Sequence, residues 1–184
     1  LLKLANENAV KLLNERLRKG SLSLKNDLQA AEELQQALGL EHPLERMDCF
    51  DISHTQGSET VASMVVFRNG TSSKKDYRRY KIVSAEGKPD DFKSMQEVVY
   101  RRYRDYEDLP SLVVIDGGKG QLSNAYAVLC ELGLEKQVPI VGLAKRLEEI
   151  YYPGDPMPYY LSRTGEPLKV VCHIRDEAHR FGIT

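Results

Sequence analysis

The chain has no tryptophan and only three cysteines, Cys49, Cys130 and Cys172, in 184 residues. The cysteines are odd in number, widely spaced and contain no CxxC pair. That excludes both a zinc ribbon and a disulfide framework, and the expected setting is reducing and cytoplasmic. No run approaches about 18 apolar residues, so no transmembrane helix is expected. Charge of one sign is also lacking: 26 Lys and Arg face 27 Asp and Glu, for a net charge of −1. A polyanion would therefore have to meet a local patch, since the overall field does not attract it. GxxxxGK[ST], GxGxxG and GxSxG are all missing, which argues against a Walker-type nucleotide site, a dinucleotide fold and a hydrolase elbow. The sequence starts at Leu1 with no signal peptide and stops after a charged helical pattern, so a piece of a longer protein is expected.

Apolar residues make up 41% and charged residues 29%, a composition suited to one globular domain. Residues 1–46 read as a helical segment leading into a domain over residues 47–184. In the segment, Leu1, Leu4, Ala5, Leu12 and Leu13 form one apolar stripe that breaks at Gly20. A second stripe runs through Leu24, Leu28, Ala31, Leu34 and Leu38 and closes at Gly39.

From Met47 onward, apolar runs mark three strands in succession: residues 47–53 (MDCFDIS), 60–67 (TVASMVVF) and 76–83 (DYRRYKIV). A helix opens at Pro89-Asp90-Asp91 with an aspartate as N-cap, and Phe92, Met95, Val99, Tyr103 and Tyr106 trace its inner face. Residues 111–115 (SLVVI) and 138–143 (VPIVGL) are buried strands, separated by a helix from Lys119 that stops at Gly133. A hairpin or irregular excursion occupies 149–165, and Pro167 starts the last helix. The order β-β-β-α-β-α-β-α implies an α/β fold: a ribonuclease H-like, five-stranded mixed sheet flanked by helices, preceded by the helical segment.

Two aspartates follow directly on buried strands, Asp51 after Phe50 and Asp116 after Val113-Val114-Ile115. A carboxylate there is unfavourable unless paired, hydrogen-bonded or metal-bound. If the first and fourth strands are parallel neighbours, the two carboxylates converge on one hard cation such as Mg²⁺ or Mn²⁺. The alternative is two unrelated aspartates capping loops. The run Asp116-Gly117-Gly118-Lys119-Gly120-Gln121 places two glycines, able to take positive φ, between a strand and a helix N-terminus. Such a turn suits a phosphodiester backbone, though a tight turn that merely needs glycine explains it too. On the last helix Arg175, Asp176 and His179 share a face, whereas His173 and His179 cannot be an i,i+4 metal pair. His179 reads as a third ligand, a proton carrier or part of a solvated face. Ser53 and His54 allow a serine-hydrolase reading, but no oxyanion loop adjoins them. Basic clusters (Lys74, Lys75, Arg78, Arg79 and Lys81; Arg101, Arg102 and Arg104; Lys145 and Arg146) interleave with tyrosines, as on a nucleic-acid surface or simply a solvated one.

Residues 47–184 resemble the C-terminal half of the UvrC family, the nuclease subunits of bacterial nucleotide excision repair. The likeness is carried by MDCFDISHTQGSETVASMVVF, DYRRYKI, PDDFKSMQEVVYRRY, LVVIDGGKGQL, VPIVGLAK and IRDEAHRFGIT. It implies a ribonuclease H-like endonuclease that makes the 5′ incision beside a lesion, with Asp51, Asp116 and His179 as the catalytic, metal-holding set. It adds an acidic residue of the PDD segment; Asp91 is the better match, although an N-cap role serves an aspartate there equally well. Lys119, Gln121, Gly117, Gly118 and Lys145 are the expected DNA contacts. The implied partners are damaged double-stranded DNA and the UvrA–UvrB–DNA complex, with UvrB bound mainly through a segment outside this sequence. A GIY-YIG nuclease for the 3′ incision and helix-hairpin-helix elements also lie outside it. The rival expectation is a non-catalytic DNA-binding or scaffold module on the same fold.

Overall fold

A computed structural model describes residues 2–55, 59–84, 90–144 and 149–184, apart from the side chains of residues 2 and 3. The elements run α1 (Leu2–Ala37), β1 (Arg46–His54), β2 (Thr60–Arg68), β3 (Thr71–Ser72), a 3₁₀ turn (Lys74–Asp76), β4 (Arg78–Lys81), α2 (Asp91–Tyr103), β5 (Leu112–Asp116), α3 (Lys119–Glu131), β6 (Ile140–Leu143), β7 (Ile150–Tyr151) and α4 (Glu166–Ile183). One sheet has the order β3-β2-β1-β5-β6-β7, with β4 also on β2. β1, β2 and β4 form an antiparallel meander, while β1, β5 and β6 are parallel.

All five expected strands are present. The sheet gains two more, β3 and β7, each of two residues. Strands that short carry no periodicity, and their partners define them. The third expected strand is trimmed, because its first residue closes the 3₁₀ turn instead.

Alternation along the strands splits the core into two layers. Met47 and Cys49 of β1, Val65 and Phe67 of β2, and Leu112 and Val114 of β5 pack under α1 and α4. Phe50, Met64, Val66, Val113 and Ile115 pack under α2 and α3. Asp90 caps α2 by accepting from the Phe92 and Lys93 amides, as expected. Met95, Val99 and Tyr103 are buried, but Phe92 and Tyr106 are half exposed. Phe92 sits on the first turn, where its ring covers Gly120 from outside. Tyr106 lies beyond the helix end and donates its hydroxyl to the Leu132 carbonyl.

The N-terminal segment also differs from expectation. It is one helix that runs through Gly20 without a break, because the good helix formers around that residue outweigh a glycine penalty of about 1 kcal/mol. Its last turns belong to the domain: Ala30, Ala31, Leu34 and Leu38 are buried in the α4-side core. Leu12, Leu13, Leu17 and Leu24 are exposed. Gly39 (φ +66°) follows the helix end, as expected. Among the described residues none of the three cysteines is in a disulfide. Among the described residues no helix is long and apolar enough to cross a membrane.

Candidate active site

Asp51 and Asp116 are the acidic residues at the C-terminal ends of two neighbouring parallel strands. The β1–β5 ladder ends at the pair Phe50 and Ile115. Asp51 and Asp116 are the next residue on each strand, so their backbones lie about 4.8 Å apart. Asp51 alternates with Met47 and Cys49, and Asp116 with Leu112 and Val114, so both face the α4 layer. Each is only 3% exposed. Their fields converge on Cys49: burial pushes its thiol well above the usual range, and the charges of Asp116 and Asp51 add to that.

α4 covers this pair. His173 meets Phe67 edge-on, with ring centroids 5.0 Å apart, and further along the helix Gly182 reaches Ser53 and Ser63. Between them His179 Nδ1 stands 3.4 Å from Asp51 Oδ2. Arg175, one turn earlier, bonds Asp176 through Nε at 3.1 Å. Burial opposes its charge, but Asp176, Cys172 and Asp116 outweigh that and raise its pKa. Asp51, Asp116, His179 and Arg175 thus share one face of the sheet.

Asp91 belongs to a different contact. His54 points to the α2 layer, where its Nε2 lies 2.8 Å from Asp91 Oδ1 and its Nδ1 lies 3.1 Å from Thr60 Oγ1. Asp91 is therefore joined to His54, and among the described residues it makes no hydrogen bond to Asp51. The serine-hydrolase reading fails on the same alternation. Ser53 faces α4 and donates to the Val61 carbonyl (3.3 Å), whereas His54 faces the opposite side.

The Asp116–Gln121 turn also departs from expectation. Neither Gly117 nor Gly118 takes a positive φ. Gly117 instead gives space, since a Cβ there would stand 2.9 Å from the Gln121 side chain. Gly118 is the N-cap of α3 and supplies no side-chain cap, so the first α3 amides remain available beside Asp116. Lys119 Nζ lies 5.2 Å from the Tyr151 ring centre. Gln121 folds back on Gly117, and its Oε1 is buried without a hydrogen bond among the described residues. Lys145 lies outside the described residues, as do Arg146, Gln56, Gly57 and Pro89. Of the basic clusters, Arg102 is structural, donating to the Glu107 and Asp108 carbonyls at 2.9 and 2.8 Å.

Two buried carboxylates on adjacent strand ends are the oxygen donors a hard divalent cation needs. The third donor is not gathered with them: among the described residues no group of three or more His, Cys, Asp or Glu has a geometry that holds a metal ion. Sequence reasoning missed Ser63 and Gly182, which set how closely α4 approaches. Gly182 did leave a signal, as a glycine within an otherwise helical run.

A mixed sheet of an antiparallel meander followed by parallel strands, with helices on both faces and two acids at the central strand ends, defines a ribonuclease H-like α/β domain. A model of the UvrC RNase H endonuclease domain matches residues 35–183. The chain belongs to that family. It is 56% identical over 142 residues to UvrABC system protein C of Christiangramia forsetii, covering 75% of this chain and 24% of that protein. It is 49% identical over 184 residues to UvrABC system protein C of Prosthecochloris aestuarii, covering 98% of this chain and 29% of that protein. The chain thus spans about a quarter of the length of these relatives. Among solved structures, Bacillus subtilis endonuclease V is 12% identical with a TM-score of 0.42, covering 74% of this chain and 81% of that one. That likeness is too loose to add to the family match.

Proposed function

We propose that this chain is the nuclease unit that makes the 5′ incision at damaged DNA in nucleotide excision repair, as part of a protein acting with UvrA and UvrB. The observation that carries the reading is the pairing of Asp51 and Asp116, buried side by side beneath α4, in a chain of an endonuclease-domain family. The names of the relatives support the repair setting.

The reaction is hydrolysis of a phosphodiester that leaves a 3′-hydroxyl and a 5′-phosphate. Asp51 and Asp116 would hold Mg²⁺ or Mn²⁺ through carboxylate oxygens, and such an ion, when bound, stabilises phosphoryl charge and makes water nucleophilic near neutral pH. His179 is the third member, as a nitrogen ligand or as the group that carries a proton at the reacting oxygen. The open amides at the start of α3, with Lys119 and Gln121, bind the strand's phosphates. Lys145 is a further proposed DNA contact. Asp91 acts through His54 at the rim.

The lack of a ready three-donor cluster among the described residues favours a second reading, a DNA-binding module without chemistry of its own. Incision of a lesion-containing duplex by the full-length protein with UvrA and UvrB separates the two. On the nuclease reading, Asp116→Asn abolishes the 5′ nick and spares the 3′ nick. A wild-type 5′ nick from that variant overturns it.

A further inference from the structure

The contact between His179 and Asp51 is long, at 3.4 Å, and the imidazole is 55% exposed. A contact of that length does not hold a helix on a sheet. The position of His179 is set instead by what grips the last turn of α4.

Gly182 lies three residues beyond His179, on a neighbouring part of the same helix face. A Cβ there would stand 3.0 Å from Ser63 Oγ and 3.4 Å from Ser53 Oγ. Ser63 is fully buried and is the register partner of Asp51. The glycine thus lets the helix backbone settle directly beside the acid.

Arg79 of β4 grips the same turn from the sheet edge. Its Nη2 donates to the Phe181 carbonyl at 2.6 Å and to Thr184 Oγ1 at 3.0 Å, and its Nε reaches the same carbonyl at 3.3 Å. Its guanidinium lies 4.2 Å from the Phe181 ring centre. These contacts tie the Phe181 turn of α4 directly to the edge strand β4. Tyr77 completes the grip, edge-on to Phe181 at 5.1 Å and donating to Glu177 at 3.1 Å.

We propose that Arg79 and Gly182 are positioning residues that seat the end of α4 so that His179 stands over Asp51. The proposal rests on the Asp51–Asp116–His179 reading above. It also moves Arg79 out of the basic nucleic-acid surface, because the guanidinium is spent on an α4 carbonyl.

The test is incision by the full-length protein with UvrA and UvrB, together with diethylpyrocarbonate labelling of His179 read by mass spectrometry. Arg79→Met should lower the 5′ nicking rate at saturating DNA by about 10-fold or more, the scale of a small misplacement of a reacting group. KM and the 3′ nick should hold, and His179 should label several-fold faster. Arg79→Lys should recover most of the loss. Gly182→Ala should do the same damage to a smaller degree, and Ser63→Ala in that background should restore the rate by removing the hydroxyl that the new Cβ meets. A raised KM with an unchanged saturating rate would make Arg79 a DNA contact and overturn the proposal, as would unchanged nicking with unchanged labelling. His179→Ala serves as the control. If it nicks like wild type, the Asp–Asp–His reading fails, while the labelling of Arg79→Met still decides the seat.

Discussion

Asp48 and Asp51 sit three residues apart on β1, both buried, and they lead opposite lives. Asp48 faces α2 and is fully enclosed. Arg46 Nε donates to its Oδ1 at 2.7 Å, the Tyr103 hydroxyl donates to its Oδ2 at 2.6 Å, and Arg102 stands 3.6 Å away. The network runs on through Asp108, which takes Arg46 at 2.5 Å and Arg68 at 2.9 Å. Asp51 faces α4, and among the described residues its hydrogen-bond contact is the long one to His179. A carboxylate with both oxygens held by fixed donors is part of the framework. One left with open oxygens next to a second buried acid has capacity for a ligand. The pair teaches that burial of an acid does not mark a site; incomplete satisfaction by the protein's own donors does.

The comparison breaks most visibly in activity. Asp51→Asn or Asp116→Asn should lower 5′ nicking by about 1,000-fold or more, since removing one member of a cooperating set forfeits most of its effect. The melting temperature should stay near wild type. Loss of structure in place of activity would put Asp51 in the same class as Asp48.

Asp48→Ala should do the reverse. Breaking the buried pair from one side leaves Arg46 with Asp108 alone and the Tyr103 hydroxyl without its acceptor, and costs about 3–5 kcal/mol, read by urea denaturation of the 184-residue chain. Nicking by the folded fraction should persist. A change under about 1 kcal/mol would mean that the network is dispensable.

Acid sharpens the contrast between framework and site. Hydrogen bonds from Arg68 and Ser73 lower Asp76 from 3.8 to about 2, and Arg180, despite some burial, with Tyr77 lowers Glu177 from 4.5 to about 2. Depressed carboxyls stabilise the fold above their ordinary values and lose that contribution as pH falls through the folded ones. The melting temperature should therefore drop between about pH 4.5 and pH 2, and Asp76→Asn should flatten part of that slope. A slope unchanged in Asp76→Asn would remove Asp76 from the account.

The smallest effect is expected at the surface. Lys81 and Glu59 pair at 3.0 Å with both side chains more than 60% exposed. Lys81→Ala should change stability by no more than about 0.5 kcal/mol in the same urea titration. A larger loss would mean that exposed pairs here rival the enclosed Asp48 network.

Much of this was legible in the residues. The runs TVASMVVF and LVVI are continuous because both sheet faces are covered, so the strands and their order could be read directly. Asp51 and Asp116 could be singled out because each abuts such a run. β3 and β7 were not legible, being two residues long and defined by their partners. The continuity of α1 through Gly20 was hidden because a single glycine is a weak break, and the outward turn of Phe92 because it is set by the packing of α2 on α3. The grip of Arg79 on Phe181 joins positions 102 apart in the chain, a pairing no local pattern encodes.

By itself the sequence determined the order of the five longer strands and the helices, which follows from local periodicity, and the family, which its long motifs carry, and strand alternation sets residues 48 and 51 on opposite sides. Which of those two acids was enclosed and which was left open was decided only in three dimensions. The donors that close around Asp48 come from β1 itself and from α2, and the helix that covers Asp51 with one long contact arrives from much further along the chain.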